Sequence, residues 1–246
     1  MNILAVFAHP DDETILAGGL LAMLAEANHD VQYLCCTRGE GGECGDPPLC
    51  IQEDLGSLRE KELICAVEQL GGKKVTILNF RDPLVGPDNN LYSFTEDING
   101  LSNEIKKTIL ENEIDIIISH GSNGEYGHPG HISVYRAVQL LVSEFRHDLI
   151  WYSVQANYEN SPKPHILNKN DKANWIIDAT SVMEKKIAAA LCHKSQHGLF
   201  VRKKTKELGR KVDVEEVIVP YESYFLANGD EDILYNFPLI KNSLMN

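Results

Sequence analysis

The stretch Ile3-Leu4-Ala5-Val6-Phe7-Ala8-His9-Pro10-Asp11-Asp12-Glu13 decides the fold. Its first five residues are apolar and predict a buried parallel strand, and residues 14–27 behind the stretch have the spacing of a helix. A histidine and two aspartates therefore lie in a strand-to-helix turn, where ligands usually bind in α/β sheets. A helix N-cap would explain Asp11 or Asp12 alone, but it would not explain His9 beside both of them. This pattern predicts a metal or catalytic site in the turn.

Strand and helix patterns alternate through the first two thirds of the chain. The further predicted strands are residues 31–37, 75–80, 114–119 and 149–154, and the predicted helices are residues 55–70, 97–111 and 131–145. With right-handed crossovers, this alternation predicts the α/β class and a Rossmann-like, doubly wound, mostly parallel sheet. A dinucleotide site would need G-x-G-x-x-G after the first strand, and the chain has the acidic turn there instead.

The last third of the chain is less regular. Residues 175–178 and an alternating segment at 212–219 predict strands, and residues 182–192 predict a helix. We expect a single domain over residues 1–246. Within it, residues 1–157 would form the Rossmann-like core, and residues 158–246 would form a C-terminal extension that walls one side of the active site.

Charge and hydropathy limit the function classes. The net charge of −13 over 246 residues argues against a nucleic-acid or anionic-membrane partner, because little neutralises phosphates in bulk. One basic cluster, of Arg202, Lys203, Lys204, Lys206, Arg210 and Lys211, is interpreted as a solvated face. No apolar run approaches the length of a membrane span, and no leader pattern is visible at the start. We therefore expect a cytoplasmic protein that acts on a small molecule, and leave a homo-oligomer open.

The six cysteines contain no C-x-x-C pair. Cys35 and Cys36 lie inside an apolar strand, where thiols behave as small hydrophobes. Cys44 and Cys50 flank a loop rich in glycine and proline and could approach each other, so a redox or metal role stays open for them. The expectation for the chain as a whole is a reduced compartment.

Three long connections follow predicted strands, at residues 38–54, 81–96 and 120–130, so they emerge at the same sheet edge as His9. The last one leads into Tyr126-Gly127-His128-Pro129-Gly130-His131. The first and fourth strands of a doubly wound sheet meet at the switch point, so His9 and Asp12 would face His131 or His128 across a crevice. Two imidazoles and a carboxylate suit Zn²⁺, with a fourth position left for water.

The two motifs A-H-P-D-D-E and H-P-x-H together resemble the LmbE-like (PIG-L) zinc-dependent de-N-acetylases, which remove an acetyl group from N-acetylglucosamine-type sugars. The resemblance covers most of the chain. Further matching pieces are Thr37-Arg38-Gly39-Glu40-Gly41, Leu58-Arg59-Glu60, Arg81-Asp82 and the late H-x-S-Q motif His193-Lys194-Ser195-Gln196. The combination is specific, whereas each short piece alone is weak.

The resemblance implies a role for each site residue. The implied metal ligands are His9, Asp12 and His131, for one Zn²⁺ per chain, with Fe²⁺ as another candidate ion. The implied catalytic residues are Asp11 as general base, His128 as the protonated partner of the oxyanion or leaving amine, and Tyr126 near the reacting carbonyl. Many members carry Asp where this chain has Gly130, so we expect a lower pKa for His128 here.

Glu40, Arg59 and Asp82 occupy positions from which they could hold sugar hydroxyls. Arg59 could instead pair with Glu60 or Glu62 on its own helix, and Asp82 could simply start a turn. The leading hypothesis is a zinc-dependent hydrolase that removes an N-acetyl group from an N-acetylglucosamine-type sugar or conjugate. The alternatives are an amidase for another amide (a thiol-sugar conjugate, an acylated antibiotic or a lipid precursor) and a non-catalytic metal- or sugar-binding domain.

Overall fold

The computed structural model describes residues 1–146, 148–229, 234 and 237. In chain order its strands are β1 Asn2–Phe7, β2 Asp30–Thr37, β3 Lys74–Phe80, β4 Ile116–Ser119, β5 Ile150–Val154, β6 Ala156–Asn157, β7 Asn168–Lys172, β8 Trp175–Asp178 and β9 Tyr221–Asn228. Its α-helices are α1 Asp12–Glu26, α2 Leu55–Leu70, α3 Ile98–Glu111, α4 Gly124–Gly127, α5 Pro129–Glu144, α6 Met183–Cys192 and α7 His197–Leu208. None of these helices is long and apolar enough to cross a membrane.

Seven strands form the central sheet in the order β3-β2-β1-β4-β5-β9-β8, and β6 pairs with β7 in a second, small sheet. Strands β1 to β5 are parallel, with Ile3 opposite both Val31 of β2 and Ile116 of β4. The predicted doubly wound, mostly parallel sheet is therefore confirmed. The strand order reverses between β1 and β4, and this switch point places the loops after those two strands beside each other.

The side chains of β1 alternate between two cores. Ile3, Ala5 and Phe7 pack with α1, α2 and α6, whereas Leu4 and Val6 pack with α3 and α5. All five side chains are at most 2% exposed. A strand that is covered on both faces needs apolar residues at every position, which explains the continuous apolar run of the sequence.

The C-terminal part adds two antiparallel strands to the sheet, because β9 pairs with β5 and β8 pairs with β9. The predicted strand at 212–219 is wrong. Residues Val214–Glu216 form a 3-10 turn that starts at a capping box on Asp213. Val214 and Ile218 of this alternating segment are buried against Ala190 of α6. The alternation therefore arises from a packed turn and not from a strand.

One pair of cysteines forms a disulfide, in contrast to the expectation of reduced thiols. Cys65 of α2 and Cys192 of α6 form a disulfide across 127 residues of sequence. Their spacing gives no indication of pairing, since only the packing of α2 on α6 brings them together. Cys35 and Cys36 are buried free thiols, as predicted, and Cys44 and Cys50 are also free.

Candidate active site

The turn after β1 presents Asp11 in a backbone conformation that side chains rarely adopt. Asp11 has φ 104°, and its carbonyl oxygen accepts hydrogen bonds from the N–H groups of Thr14 (3.0 Å) and Ile15 (2.9 Å). Its carboxylate makes no capping hydrogen bond to the helix, so the N-cap explanation of this aspartate does not apply. Glu13 Oε2 accepts the Asp11 N–H at 2.9 Å and holds the turn in place. A disfavoured backbone that its surroundings fix in this way is typical of functional sites.

Asp12 lies at the centre of a buried histidine cluster. Its Oδ1 is 3.3 Å from His131 Nε2, and its Oδ2 is 3.3 Å from His9 Nδ1. The three side chains predicted as metal ligands are therefore in mutual reach. His9 and Asp12 are 7% exposed and His131 is 1% exposed. His9 follows β1 directly, and His131 stands in the first turn of α5, so the switch point brings them together.

His120 belongs to the same cluster, although the sequence analysis did not single it out. Its Nε2 accepts the Ala8 N–H at 3.0 Å and lies 3.4 Å from Asp12 Oδ2. The available signal was its position directly after β4, which matches the position of His9 after β1. Two groups of side chains offer atoms within 4.8 Å of one another for a metal, namely His9 with His128 and His131, and Asp12 with His120 and His131.

Glu125 is a second residue that sequence reasoning missed. Its Oε2 is 3.0 Å from His120 Nδ1 and 2.5 Å from His131 Nδ1, and the side chain is only 4% exposed. Because the carboxylate engages Nδ1, the Nε2 of His131 is left facing Asp12. A lone glutamate in a loop gives no sequence signal for this role.

The small sheet holds the loop that carries Glu125. Asn168, the first residue of β7, donates from Nδ2 to Glu125 Oε1 at 3.1 Å and accepts the Glu125 N–H on Oδ1 at 3.1 Å. Gly121 donates its N–H to the same Oε1 at 2.9 Å. A Cβ at Gly121 would lie 2.1 Å from Asn168 Nδ2, so this close approach requires glycine.

The cluster fits a divalent metal. The Nε2 atoms of His9 and His131 are buried and form no hydrogen bond of good geometry in the described structure, although each lies within 3.3 Å of a carboxylate oxygen, of Asp82 and Asp12 respectively. Burial alone would lower the pKa of His9, but the carboxylates of Asp82 and Asp12 raise it to about 9. Although burial opposes it, the neighbouring His131 and His120 hold the pKa of Asp12 well below its usual range. Imidazole nitrogens around a carboxylate are a ligand set that suits zinc, and a bound cation would take the place of the protons.

Arg59 supports the turn that carries Asp11. Its Nη2 donates to the Pro10 carbonyl at 2.5 Å and to Asp11 Oδ2 at 3.2 Å, and its Nη1 donates to the Gly39 carbonyl at 2.8 Å. Burial raises the pKa of Asp11 to about 6, although the charge of Arg59 opposes the shift. A carboxylate with this pKa is ionised at neutral pH and is still basic enough to accept a proton.

The two glutamates that the sequence offered as partners of Arg59 are engaged elsewhere. Glu60 Oε2 lies 2.6 Å from Arg38 Nε. Glu62 accepts the N–H and the hydroxyl of Ser195 at 2.8 and 2.7 Å. Arg59 therefore does not form the ion pair with Glu60 or Glu62 that the sequence allowed.

The surroundings of His128 favour the neutral imidazole, whereas a protonated side chain was expected. Its Nδ1 accepts the Gly130 N–H at 3.1 Å, so the ring proton resides on Nε2. Burial is the largest cause that lowers its pKa, to about 2, and the charges of His131 and His9 act in the same direction. In the neutral form the side chain can donate one hydrogen bond, from Nε2.

The predicted sugar-binding residues lie at different depths. Asp82 Oδ1 is 3.2 Å from His9 Nε2, and its Oδ2 accepts the Gly41 N–H at 3.2 Å. Glu40 Oε2 accepts the Asp82 N–H at 3.1 Å.

A cavity of about 300 Å³ opens above the cluster, and the predicted site residues that line it are His9, Asp11, Asp12, Arg59, Asp82, Tyr126 and His128. Glu40 and His131 lie behind that wall.

The H-x-S-Q motif supports the same turn from the other side. His193 Nε2 lies 2.9 Å from Glu13 Oε1, on the carboxylate whose other oxygen accepts the Asp11 N–H. Gln196 reaches the cavity wall and donates to the Glu43 carbonyl at 2.8 Å. The connection between α6 and α7 therefore braces the Asp11 turn.

Comparison with known proteins assigns the family. The sequence profile described as "PIG-L: GlcNAc-PI de-N-acetylase" matches residues 4–142, more than half of the chain. The chain belongs to the PIG-L family. The matched PIG-L region ends in α5, after the second histidine motif, so it contains all nine predicted site residues.

One similar relative is a 1D-myo-inositol 2-acetamido-2-deoxy-alpha-D-glucopyranoside deacetylase of Corynebacterium glutamicum, 32% identical over 166 residues, which are 61% of this chain and 55% of that protein. The chain spans about half the length of the curated relatives it matches.

Two solved structures show the PIG-L fold. The N,N'-diacetylchitobiose deacetylase of Pyrococcus horikoshii superposes with a TM-score of 0.67 at 21% identity, over 93% of this chain and 84% of that one. The 4-carboxy-2-hydroxymuconate hydratase GalB of Pseudomonas putida gives 0.65 at 20% identity, over 94% and 98%. Because a deacetylase and a hydratase share this fold, the fold alone does not assign the reaction.

Proposed function

We propose that the protein is a zinc-dependent hydrolase that removes the acetyl group from an N-acetylglucosamine-type sugar or conjugate. The observation that carries this proposal is the separation of two adjacent carboxylates. Asp12 lies among three histidines, whereas Asp11 lies outside that cluster, on Arg59, with a pKa raised to about 6. Two carboxyl groups with different environments suit two roles, a metal ligand and a general base.

His9, Asp12 and His131 would hold the ion. Bound zinc would supply the chemistry that an unactivated amide needs, since it lowers the pKa of water and polarises an acyl oxygen. The burial of these side chains, and the Nε2 atoms of the two histidines that face carboxylates without a well-formed hydrogen bond, support this ligand set. His120 lies beside Asp12 and would influence the charge of that ligand. It is not proposed as a ligand itself, because Ala8 and Glu125 engage its two ring nitrogens.

The remaining side chains would handle protons and the oxyanion. Asp11 accepts a proton from the attacking water and then delivers it to the departing amine nitrogen. The Nε2–H of neutral His128 donates a hydrogen bond to the oxyanion of the tetrahedral intermediate, and the Tyr126 hydroxyl at the cavity wall adds a second. Arg59 and Glu13 fix the Asp11 carboxylate and its backbone. Asp82 and Glu40 are proposed to orient the sugar, with Asp82 nearer the cavity.

Acetate release tests this function. Zinc-loaded protein is incubated with N-acetylglucosamine, N,N'-diacetylchitobiose and a 1D-myo-inositol glycoside of N-acetylglucosamine, and acetate and free amine are quantified together. We expect equal amounts of both products from at least one sugar and none after chelation. Binding of a sugar without release of either product would favour the non-catalytic binding domain, and the absence of both binding and release for all three sugars would favour an amidase for another amide.

A further inference from the structure

The mouth of the active-site cavity is apolar, in contrast to its floor. The apolar residues lining it are Pro83, Val85, Leu91, Tyr92, Tyr126 and Leu199. Val85, Leu91 and Tyr92 lie on the loop after β3, and Leu199 lies in the first turn of α7. Two separate chain segments therefore bring aliphatic and aromatic side chains to one opening.

The apolar side chains at the mouth have large solvent-exposed fractions. Leu91 is 37%, Leu199 46%, Val85 49% and Tyr92 50% exposed. Single exposed apolar residues are common on protein surfaces, but a cluster at the mouth of a cavity marks a binding surface. The loop itself is ordered around them, because Gly86 donates its N–H to the Asn90 carbonyl at 2.9 Å and a Cβ on Gly86 would lie 2.8 Å from the Tyr92 hydroxyl.

The charges around the cavity restrict the occupant further. Asp11, Asp12, Asp82 and Glu43 line it, and Arg59 is the only lysine or arginine among the lining residues of the described chain. The Arg59 guanidinium is 3% exposed and already donates to Pro10, Gly39 and Asp11. A phosphate or carboxylate at the mouth would face acidic side chains, and no lysine or arginine among the lining residues of the described chain is free to pair with it.

We infer that the substrate carries an uncharged apolar group, an alkyl or aryl substituent, which packs on Val85, Leu91, Tyr92 and Leu199 while the N-acylated amino sugar reaches the polar floor. This inference rests on the proposed function and narrows its substrate class. The substituent could be the aglycone of the sugar or an extended acyl chain, and both would bury the same apolar side chains. A polyol or phosphate in this place would leave polar groups unpaired against the apolar wall.

Matched substrates test the inference. The kcat/KM of zinc-loaded protein is compared for the methyl and hexyl glycosides of N-acetylglucosamine, for N-acetylglucosamine 1-phosphate, and for N-hexanoylglucosamine against N-acetylglucosamine. We expect a gain of about tenfold or more for one hexyl-bearing compound over its short counterpart, as apolar pockets give, and the lowest value for the phosphate. A preference for the hexyl glycoside identifies the aglycone, and a preference for the hexanoyl amide identifies the acyl chain. Equal values for methyl and hexyl compounds in both series would overturn the inference.

Variants locate the effect at the mouth. Leu91→Ser combined with Leu199→Ser should lower the ratio of hexyl to methyl kcat/KM towards one, whereas Leu110→Ser on an exposed part of α3 should leave the ratio unchanged. Binding of hexyl β-glucoside, which has no amide, is measured in parallel by calorimetry against methyl β-glucoside. If no acetate is released from any sugar, the proposed function fails. Tighter binding of the hexyl glucoside would still support the apolar site, and the inference would be overturned if neither the hexyl glucoside nor N-hexanoylglucosamine bound more tightly than its short counterpart.

Discussion

Glu125 joins two histidines of the site through one carboxylate oxygen, and this arrangement gives a residue-scale prediction. Glu125→Gln keeps the shape but removes the charge that fixes the Nδ1–H of His131. Losing such a carboxylate behind a metal-ligating histidine typically costs 10–100-fold in metal affinity. We expect a zinc affinity lower by about that factor, measured by competition with a chromogenic chelator.

The exposed Glu111→Gln on α3 is the matched control for this measurement. Both variants change a glutamate to glutamine, so they differ in position, and Glu111 lies on the surface away from the buried contacts of Glu125 to His120 and His131. A Glu125→Gln protein with a native circular dichroism spectrum and parental zinc affinity would show that the ligand does not depend on this carboxylate.

Gly130 lies against the ring of His128. Its N–H donates to His128 Nδ1, and a Cβ at this position would lie 3.3 Å from that nitrogen and 3.2 Å from Phe94 Cδ1. In Gly130→Asp a carboxylate would reach the ring and raise the His128 pKa from its lowered value near 2. We expect the His128 ring proton resonances of the zinc-loaded parent to stay constant between about pH 5 and about pH 9 in an NMR titration. In Gly130→Asp the same resonances should titrate at a higher pH than in the parent.

A parental His128 that titrates near the ordinary histidine pKa of about 6.5 would contradict the neutral assignment. His128→Ala provides the spectrum in which the resonance is missing and so fixes its identity.

At the scale of elements, the connection between α6 and α7 braces the catalytic turn through His193 and Glu13. His193→Leu removes one partner of Glu13 Oε1, which also accepts the Thr14 hydroxyl, and leaves the Asp11 backbone less well held. Because misplacement of a catalytic group by about 1 Å can cost about 100-fold, we expect a loss of kcat of about 10–100-fold with little change in KM. His193→Gln, which can still donate a hydrogen bond, should recover part of the loss.

Zinc content separates positioning from folding in this test. His193 does not contact His9, Asp12 or His131, so both variants should bind one equivalent of zinc. A His193→Leu protein that loses its zinc would assign the motif to the integrity of the whole site.

The elements that were predictable from the sequence are those whose pattern is local. The β1 run and the acidic turn behind it fixed the parallel sheet and its functional edge, and the observed α2 has the bounds that its apolar spacing predicted. The helix α7 was missed because it has no buried residues among those described and carries a basic run instead of an apolar stripe. That basic run is exposed and paired in part, with Arg202 on Glu43 and Arg210 on Glu216, as a solvated face should be.

The parts of the site that were not predictable depend on contacts between distant segments. Glu125 reaches His131 only because α4 has a kinked backbone, with φ 58° at Glu125 itself, and Cys65 meets Cys192 only through helix packing. A motif identifies residue types and their order along the chain, but it does not specify which imidazole nitrogen faces which carboxylate.

At the scale of the whole molecule, the histidine cluster around Asp12 couples stability to pH. The pKa of His9 is raised to about 9 in the folded protein, above its ordinary 6.5. Without metal, its proton therefore stabilises the fold fully below pH 6.5, and this stabilisation is lost as the pH rises towards 9. Zinc needs the unprotonated imidazole, so its affinity rises over the same range.

The melting temperature should reflect this coupling. We expect the Tm difference between zinc-loaded and chelated protein to be larger at about pH 8 than at about pH 6. When free zinc is about 100 times its Kd, binding should add about 2.7 kcal/mol to the free energy of unfolding. Repulsion from the net charge of −13 is present in both forms and cancels in the difference. A difference that is constant or shrinks with rising pH would contradict protonated histidines in the metal-free cluster.

The matched pair Asp11→Asn and Asp12→Asn tests the division of labour between the two aspartates most directly. Each variant changes one carboxylate to an amide of the same shape, in neighbouring positions of one turn. The measurement is zinc per chain together with acetate turnover. Asp12→Asn should lose most of its zinc, whereas Asp11→Asn should keep one equivalent and lose turnover by about 100-fold or more, as removal of a general base does. Near-parental turnover in Asp11→Asn, or a full equivalent of zinc in Asp12→Asn, would contradict the assignment of base and ligand.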